Sequence, residues 1–90
     1  MKVGEKEELA VLGVLSLTEG KPSGRVWNEI PSAAVILFGR VSGVLDYLVE
    51  RGFARNNGDA LYTLTAAGAD RLAEFRAALH HHGGRWSSSH

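Results

Sequence analysis

The sequence predicts a mostly helical fold closed by one small β-hairpin, in the order α-α-α-β-β-α. Three observations carry that expectation. Val41, Val44, Leu45 and Leu48 recur at helical spacing and mark one buried face. Gly52 follows, where a helix C-terminal cap needs a residue tolerant of positive φ. Two short runs, 53–56 and 59–64, then flank Asn57-Gly58, the strongest short-range hairpin signal. Thr65 stands directly after them and suits the N-cap of a last helix.

Taken in order, the first helix is expected over 5–17. Glu5, Glu7 and Glu8 occupy its first turn, where negative charge suits the helix dipole. Its apolar residues (Leu9, Ala10, Val11, Leu12, Val14, Leu15 and Leu17) cover more than one face. A helix that wide is either sandwiched in the domain or shared with a partner. Glu19-Gly20-Lys21-Pro22 reads as a turn. Ser23 can cap a short second helix over 24–30, with Val26, Trp27 and Ile30 apolar and Trp27 expected in the core. Pro31 ends it, because the residue before a proline avoids the α region.

The run SAAVILF over 32–38 reads equally well as a buried connector or as the opening turns of the third helix. That third helix covers at least 39–51, with Arg40, Ser42, Gly43, Asp46, Tyr47 and Glu50 facing outward. The fourth is expected over 65–82, with Leu72, Phe75, Ala78 and Leu79 as its apolar stripe. Gly83-Gly84 should stop it, leaving a serine-rich disordered tail at 83–90 and one domain over 1–82.

Composition narrows the classes. Ninety residues with 44% hydrophobic content suit a single small globular domain. The absence of cysteine excludes disulfides and thiolate metal sites. The opening MKVGEKEE lacks the apolar length of a signal peptide, and no run approaches the roughly 18 apolar residues of a bilayer span. A cytoplasmic protein is the expectation. No glycine-rich phosphate loop is present, and no histidine precedes residue 80. An enzyme is therefore not expected, nor a cofactor. Consecutive imidazoles at His80–His82 point in different directions on a helix, so no metal site is expected there either.

Helix, glycine stop, hairpin and capped helix together make the order of a winged helix-turn-helix, a fold that most often places its third helix in DNA. The residues GRVSGVLDYLVERGF followed by LYTLTAAGADRL strengthen this. They are similar to the PadR-like and MarR-like winged-helix transcriptional regulators, whose recognition helix ends in glycine plus an apolar residue. Leu45, Leu48, Gly52 and Phe53 stand at those places, and Tyr62, Leu64, Thr65 and Gly68 match the stretch after the wing. Leu12, Leu15 and Leu17 with Gly24, Val26 and Ile30 resemble the PadR-like opening, although Ser42 stands where those proteins usually carry a tyrosine. The resemblance spans about residues 8–79. It implies a homodimer built from the first and last helices, reading a pseudo-palindromic operator.

Candidate contacts follow from that layout. In the third helix Arg40, Ser42, Gly43 and Tyr47 would approach bases or phosphates of double-stranded DNA. In the wing Arg55 and Asn57 would follow the backbone. Lys21, Ser23 and Arg25 could clamp a phosphate beside the second helix. Val11, Val14, Leu72, Phe75 and Leu79 are the expected dimer surface, since three large side chains on a terminal helix otherwise forfeit roughly 1.5–3 kcal/mol each.

The charge pattern is less favourable to DNA. Lys2 and Lys6 against Glu5, Glu7, Glu8 and Glu19 give residues 1–20 a net −2. Lys21, Arg25 and Arg40 against Glu29 give 21–40 a net +2, and the whole chain sums to zero. The rival expectation is a winged-helix protein–protein interaction module, such as a phage or plasmid factor, that binds little DNA. The two separate on one feature. A basic stripe joining Arg25, Arg40 and Arg55 favours DNA, whereas a contiguous apolar patch there favours a protein.

Overall fold

The computed structural model describes residues 3–31, 34 and 36–88, with 79–88 described as backbone only. The elements are α1 (Glu5–Leu12), α2 (Ser23–Glu29), α3 (Phe38–Glu50), β1 (Ala54–Asn56), β2 (Tyr62–Leu64) and α4 (Ala66–Ser88). The chain is mostly helical, with one two-stranded antiparallel hairpin, in the expected order.

The fold is organised around α3. Its stripe of Val41, Val44, Leu45 and Leu48 is fully buried, against Val11 and Leu12 of α1 and Val26 of α2. Side chains of this size contribute roughly 1.5–3 kcal/mol each when removed from water, so this stripe fixes which face of α3 turns outward. The helix ends as its glycine suggests. Gly52 takes φ +82°, its amide donates to the Val49 carbonyl, and the Phe53 amide reaches back to Leu48 at 2.8 Å. Those two bonds satisfy carbonyls that the helix end would otherwise orphan.

Several boundaries differ from expectation, each for a local reason. The first helix stops at Leu12 rather than at residue 17: Gly13 is its C-cap, and the next residues serve the hairpin instead. Leu15 is buried beyond the helix, and the Ser16 carbonyl accepts the Leu64 amide at 2.8 Å. Ser23 is the first residue of α2 and not its cap. Pro22 holds the cap position at φ −71°, and no side chain caps the helix. Of the SAAVILF run, residues 32, 33 and 35 lie outside those described. The rest divides: Ala34 and Ile36 are half-buried, Ile36 against the core, Leu37 is exposed, and Phe38 opens α3.

The hairpin pairs Ala54 with Leu64, Arg55 with Thr63 and Asn56 with Tyr62. This register buries Ala54, Tyr62 and Leu64 together, and a one-residue slip would turn them all to solvent. Lys21 extends the pairing through an isolated bridge, its amide and carbonyl both bonded to Tyr62. With the register so fixed, the strands are shorter than the runs 53–56 and 59–64. Asn57-Gly58 is not a two-residue turn: the Asn57 amide closes on the Leu61 carbonyl at 2.8 Å, leaving three residues outside. Gly58 (φ +91°) and Ala60 (φ +57°) both take left-handed backbone there. Alanine adopts that region with strain, so Ala60→Gly should stabilise the fold by about 0.5–1 kcal/mol in urea unfolding. No gain would show that the loop relaxes away from this conformation.

Thr65 caps α4 as expected, its Oγ1 accepting the Gly68 amide at 3.0 Å and donating to the Gly52 carbonyl at 2.6 Å. One hydroxyl thus ties the start of α4 to the end of α3. The helix continues through Gly83 and Gly84 to Ser88 instead of stopping there. Glycine lowers helix propensity by about 1 kcal/mol but keeps its amide, so it weakens the ladder without breaking it. No helix among the described residues is long and apolar enough to cross a membrane.

Candidate interaction face at the start of α3

With its inner face fixed, α3 turns Gly39, Ser42, Asp46 and Glu50 to solvent, while Gly43 and Tyr47 are half-buried. The Arg51 guanidinium lies 5.6 Å from the centre of the Tyr47 ring. Beside it, the hairpin exposes Arg55, Asn56 and Asn57. Asn57 donates weakly to Thr63 Oγ1 at 3.3 Å, and Arg55 forms no ion pair among the described residues.

The other cations proposed for phosphate are occupied. Lys21 is a buried residue: its ammonium donates to the Val14 carbonyl at 2.7 Å and to Glu29 Oε1 at 2.6 Å. It fastens the turn before α2 to the end of that helix and cannot serve as a phosphate clamp. Arg25 is held between Glu29 (2.8 Å) and Glu19 (3.1 Å). The Glu29 carboxyl lies below its ordinary range, chiefly through Lys21 and then Arg25. Ser23 is half-buried in the first turn of α2. Arg40 binds Glu7 of α1 through Nε and, at 2.9 Å, through Nη2. Of the three arginines of the expected stripe, Arg25 and Arg40 are thus engaged by carboxylates, and Arg55 alone is left without an ion pair among the described residues.

The Arg40–Glu7 pair has a consequence for acid stability. The Arg40 guanidinium, and after it the Gly4 amide, hold the Glu7 carboxyl down from 4.5 to about 2. A group depressed on folding stabilises above its unfolded value and loses that contribution as pH falls through the folded one. Wild type should therefore lose stability between about pH 4.5 and pH 2, and Glu7→Gln should flatten that limb of the curve. Superimposable acid limbs in urea titrations would remove Glu7 as the cause.

An apolar surface gathers where the arginines withdraw. Trp27, expected in the core, is 41% exposed because its indole lies over the segment before α3 and not under it. Its Nε1 donates to the Ile36 carbonyl at 3.1 Å, and its ring meets Phe38 edge-on at 5.4 Å. Phe38 is 55% exposed and Leu37 77%. No part of the inner stripe is left for them, since Val41, Val44, Leu45 and Leu48 already fill it. None of the three was among the contact residues expected from the sequence, although the run that holds Leu37 and Phe38 had favoured the protein-binding alternative. The available signal was arithmetic: the apolar run before α3 exceeds what one helix face can bury.

The expected dimer surface also changes. Val11 and Leu72 lie in the chain's own core, where α1 and α4 pack together, so they are not available to a second copy. Phe75 is half-buried under the Arg71 guanidinium, 4.5 Å from its ring centre. Val14 lines an open groove of about 510 Å³ with Leu9, Ala10, Pro31 and Leu72. The side chains of Leu79 and His80–His82 lie outside the described residues. Of the expected surface, Val11 and Leu72 are thus buried within one chain, Phe75 is half-buried, and Val14 borders the groove.

No family model, curated protein or solved structure matches the chain. Among the described residues no buried side-chain nitrogen or oxygen lacks a hydrogen-bond partner.

Proposed function

We propose that this chain is a winged-helix protein–protein interaction module whose docking surface is Trp27, Leu37 and Phe38 at the start of α3. A single observation carries the reading: the place where a DNA-reading helix would need cations presents a contiguous, pre-ordered aromatic patch. Tryptophan anchors dominate protein interfaces, and an indole already fixed by a hydrogen bond loses little freedom on binding. The edge-on Trp27–Phe38 contact fixes the second ring as well.

Because the patch is largely exposed, Leu37→Ser with Phe38→Ser should cost no more than about 1.5 kcal/mol, the worth of the Trp27–Phe38 contact. A large loss in urea unfolding would mean that these side chains serve the fold and not a partner.

The second reading is the sequence-specific DNA-binding regulator, a homodimer on a pseudo-palindrome. It is favoured by the uncovered outer face of α3 lying beside a hairpin that offers Arg55. With Arg25 and Arg40 engaged and Lys21 internal, however, Arg51 and Arg55 are the cations at hand. Two phosphates per protomer imply a slope of log K against log salt of about −2 for one copy and −4 for two. Fluorescence anisotropy with random and promoter duplexes separates the readings. The docking module should show little duplex binding even at low salt. Tight binding that falls with at least the dimer slope and weakens on Arg55→Ala would overturn it in favour of DNA.

A further inference from the structure

Resting on the docking reading above, we infer that the partner segment is basic as well as apolar: an apolar anchor for the Trp27–Phe38 patch, followed by Lys or Arg side chains that meet Asp46 and Glu50. Phe38, Ser42, Asp46 and Glu50 stand four residues apart, along one ridge of α3. All are exposed, so the apolar patch runs without interruption into a serine and then two carboxylates. At about 1.5 Å rise per residue, Asp46 lies roughly 12 Å and Glu50 roughly 18 Å along the helix from Phe38.

Neither carboxylate is ion-paired among the described residues. Arg51, the nearest cation in sequence, lies over Tyr47 instead. The Asp46 charge is felt at the loop end of the hairpin, where burial first and Asp46 second raise the Tyr62 hydroxyl above its ordinary value. Glu7 is engaged by Arg40, and Glu19 and Glu29 by Arg25, so those acids are already matched. Asp46 and Glu50 are the charges carried by the ridge itself, whereas Arg51 leans over Tyr47 and Arg55 belongs to the hairpin. At close range the two carboxylates repel a phosphate group and attract a cationic side chain laid along the ridge.

The same ridge sets the spacing of the partner. A helical or extended segment laid along α3 would place its first cation about 12 Å from its anchor and a second about 6 Å further on. The carboxylates are exposed, so they add selectivity and on-rate more than affinity, and the aromatic patch supplies the anchor.

The test is selection from a phage library of random peptides against the full chain, with counter-selection on Phe38→Ser. The expected outcome is a family with an apolar anchor and at least two basic residues downstream. A synthetic peptide of that consensus should lose about tenfold in affinity on the Asp46→Lys/Glu50→Lys variant and bind more weakly as salt rises. An apolar consensus without basic residues, insensitive to that variant, would overturn the charge inference and leave the docking reading standing. No enrichment over the Phe38→Ser counter-target would overturn both. Circular dichroism of each variant keeps misfolding apart from lost contact.

Discussion

Gly68→Ala is expected to cost about 3 kcal/mol, lowering the thermal midpoint by roughly 15 °C for a domain of this size. Gly68 lies in the first turn of α4, pressed against the end of α3. A Cβ at that position would overlap the Phe53 carbonyl oxygen, stand 2.9 Å from the Phe53 carbonyl carbon and reach within 2.8 Å of Leu64 Cδ1. The leucine can yield by changing rotamer. The carbonyl cannot, because it accepts the Thr65 amide at 3.2 Å and belongs to the residue directly before β1. A methyl group therefore pushes α4 away from the hairpin and loosens the Thr65 cap with it. Gly24→Ala is the matched control. No atom lies within 4 Å of a Cβ there, so an alanine in α2 should stabilise by about 0.5–1 kcal/mol. Equal midpoints for the two variants would show that α4 does not need this close approach.

Arg71→Ala should be the most damaging change at a charged position, at about 3 kcal/mol. Glu8 of α1 is only 3% exposed, and its Oε2 accepts from Arg71 Nε at 2.7 Å across the α1–α4 contact. Removing the arginine leaves a carboxylate without its partner in a place that water scarcely reaches, which costs more than the pair is worth. The guanidinium also lies over the Phe75 ring at 4.5 Å and near that of Phe53 at 5.9 Å, so the truncation bares aromatic surface as well. The double variant Glu8→Met with Arg71→Met distinguishes the two costs. Apolar side chains of similar volume remove the orphan charge, so most of the stability should return. A single variant within 0.5 kcal/mol of wild type in urea unfolding would show that Glu8 is hydrated after all.

These two positions differ in how visible they are from the sequence. Thr65 announces its cap and Gly68 follows at the distance a cap requires, so the start of α4 was legible. What Gly68 avoids was not, because the Phe53 carbonyl comes from a segment joined to it only through the hairpin. Glu8 looks like an ordinary first-turn acid beside Glu5 and Glu7, and its ion pair with Arg71 spans 63 residues. The same holds at the interaction face. Arg40 stands at the expected point of α3, yet its partner Glu7 is 33 residues away. Trp27 has the spacing of a core residue on α2, but its place in the core is taken by Val26.

By itself the sequence determined the elements and their order: the buried stripe Val41–Leu48, the glycine stop at Gly52, the hairpin and the capped last helix. All of these depend on hydrogen bonds and side-chain periodicity within a few residues, which the chain specifies locally. The tertiary structure decided the long-range ion pairs and which apolar residues remain outside. Arg25 and Glu29 meet as neighbours four residues apart on α2, but Arg40 and Arg71 find Glu7 and Glu8 only through packing. An aromatic ring is buried only if the inner face has room for it, and packing left Trp27, Leu37 and Phe38 facing solvent.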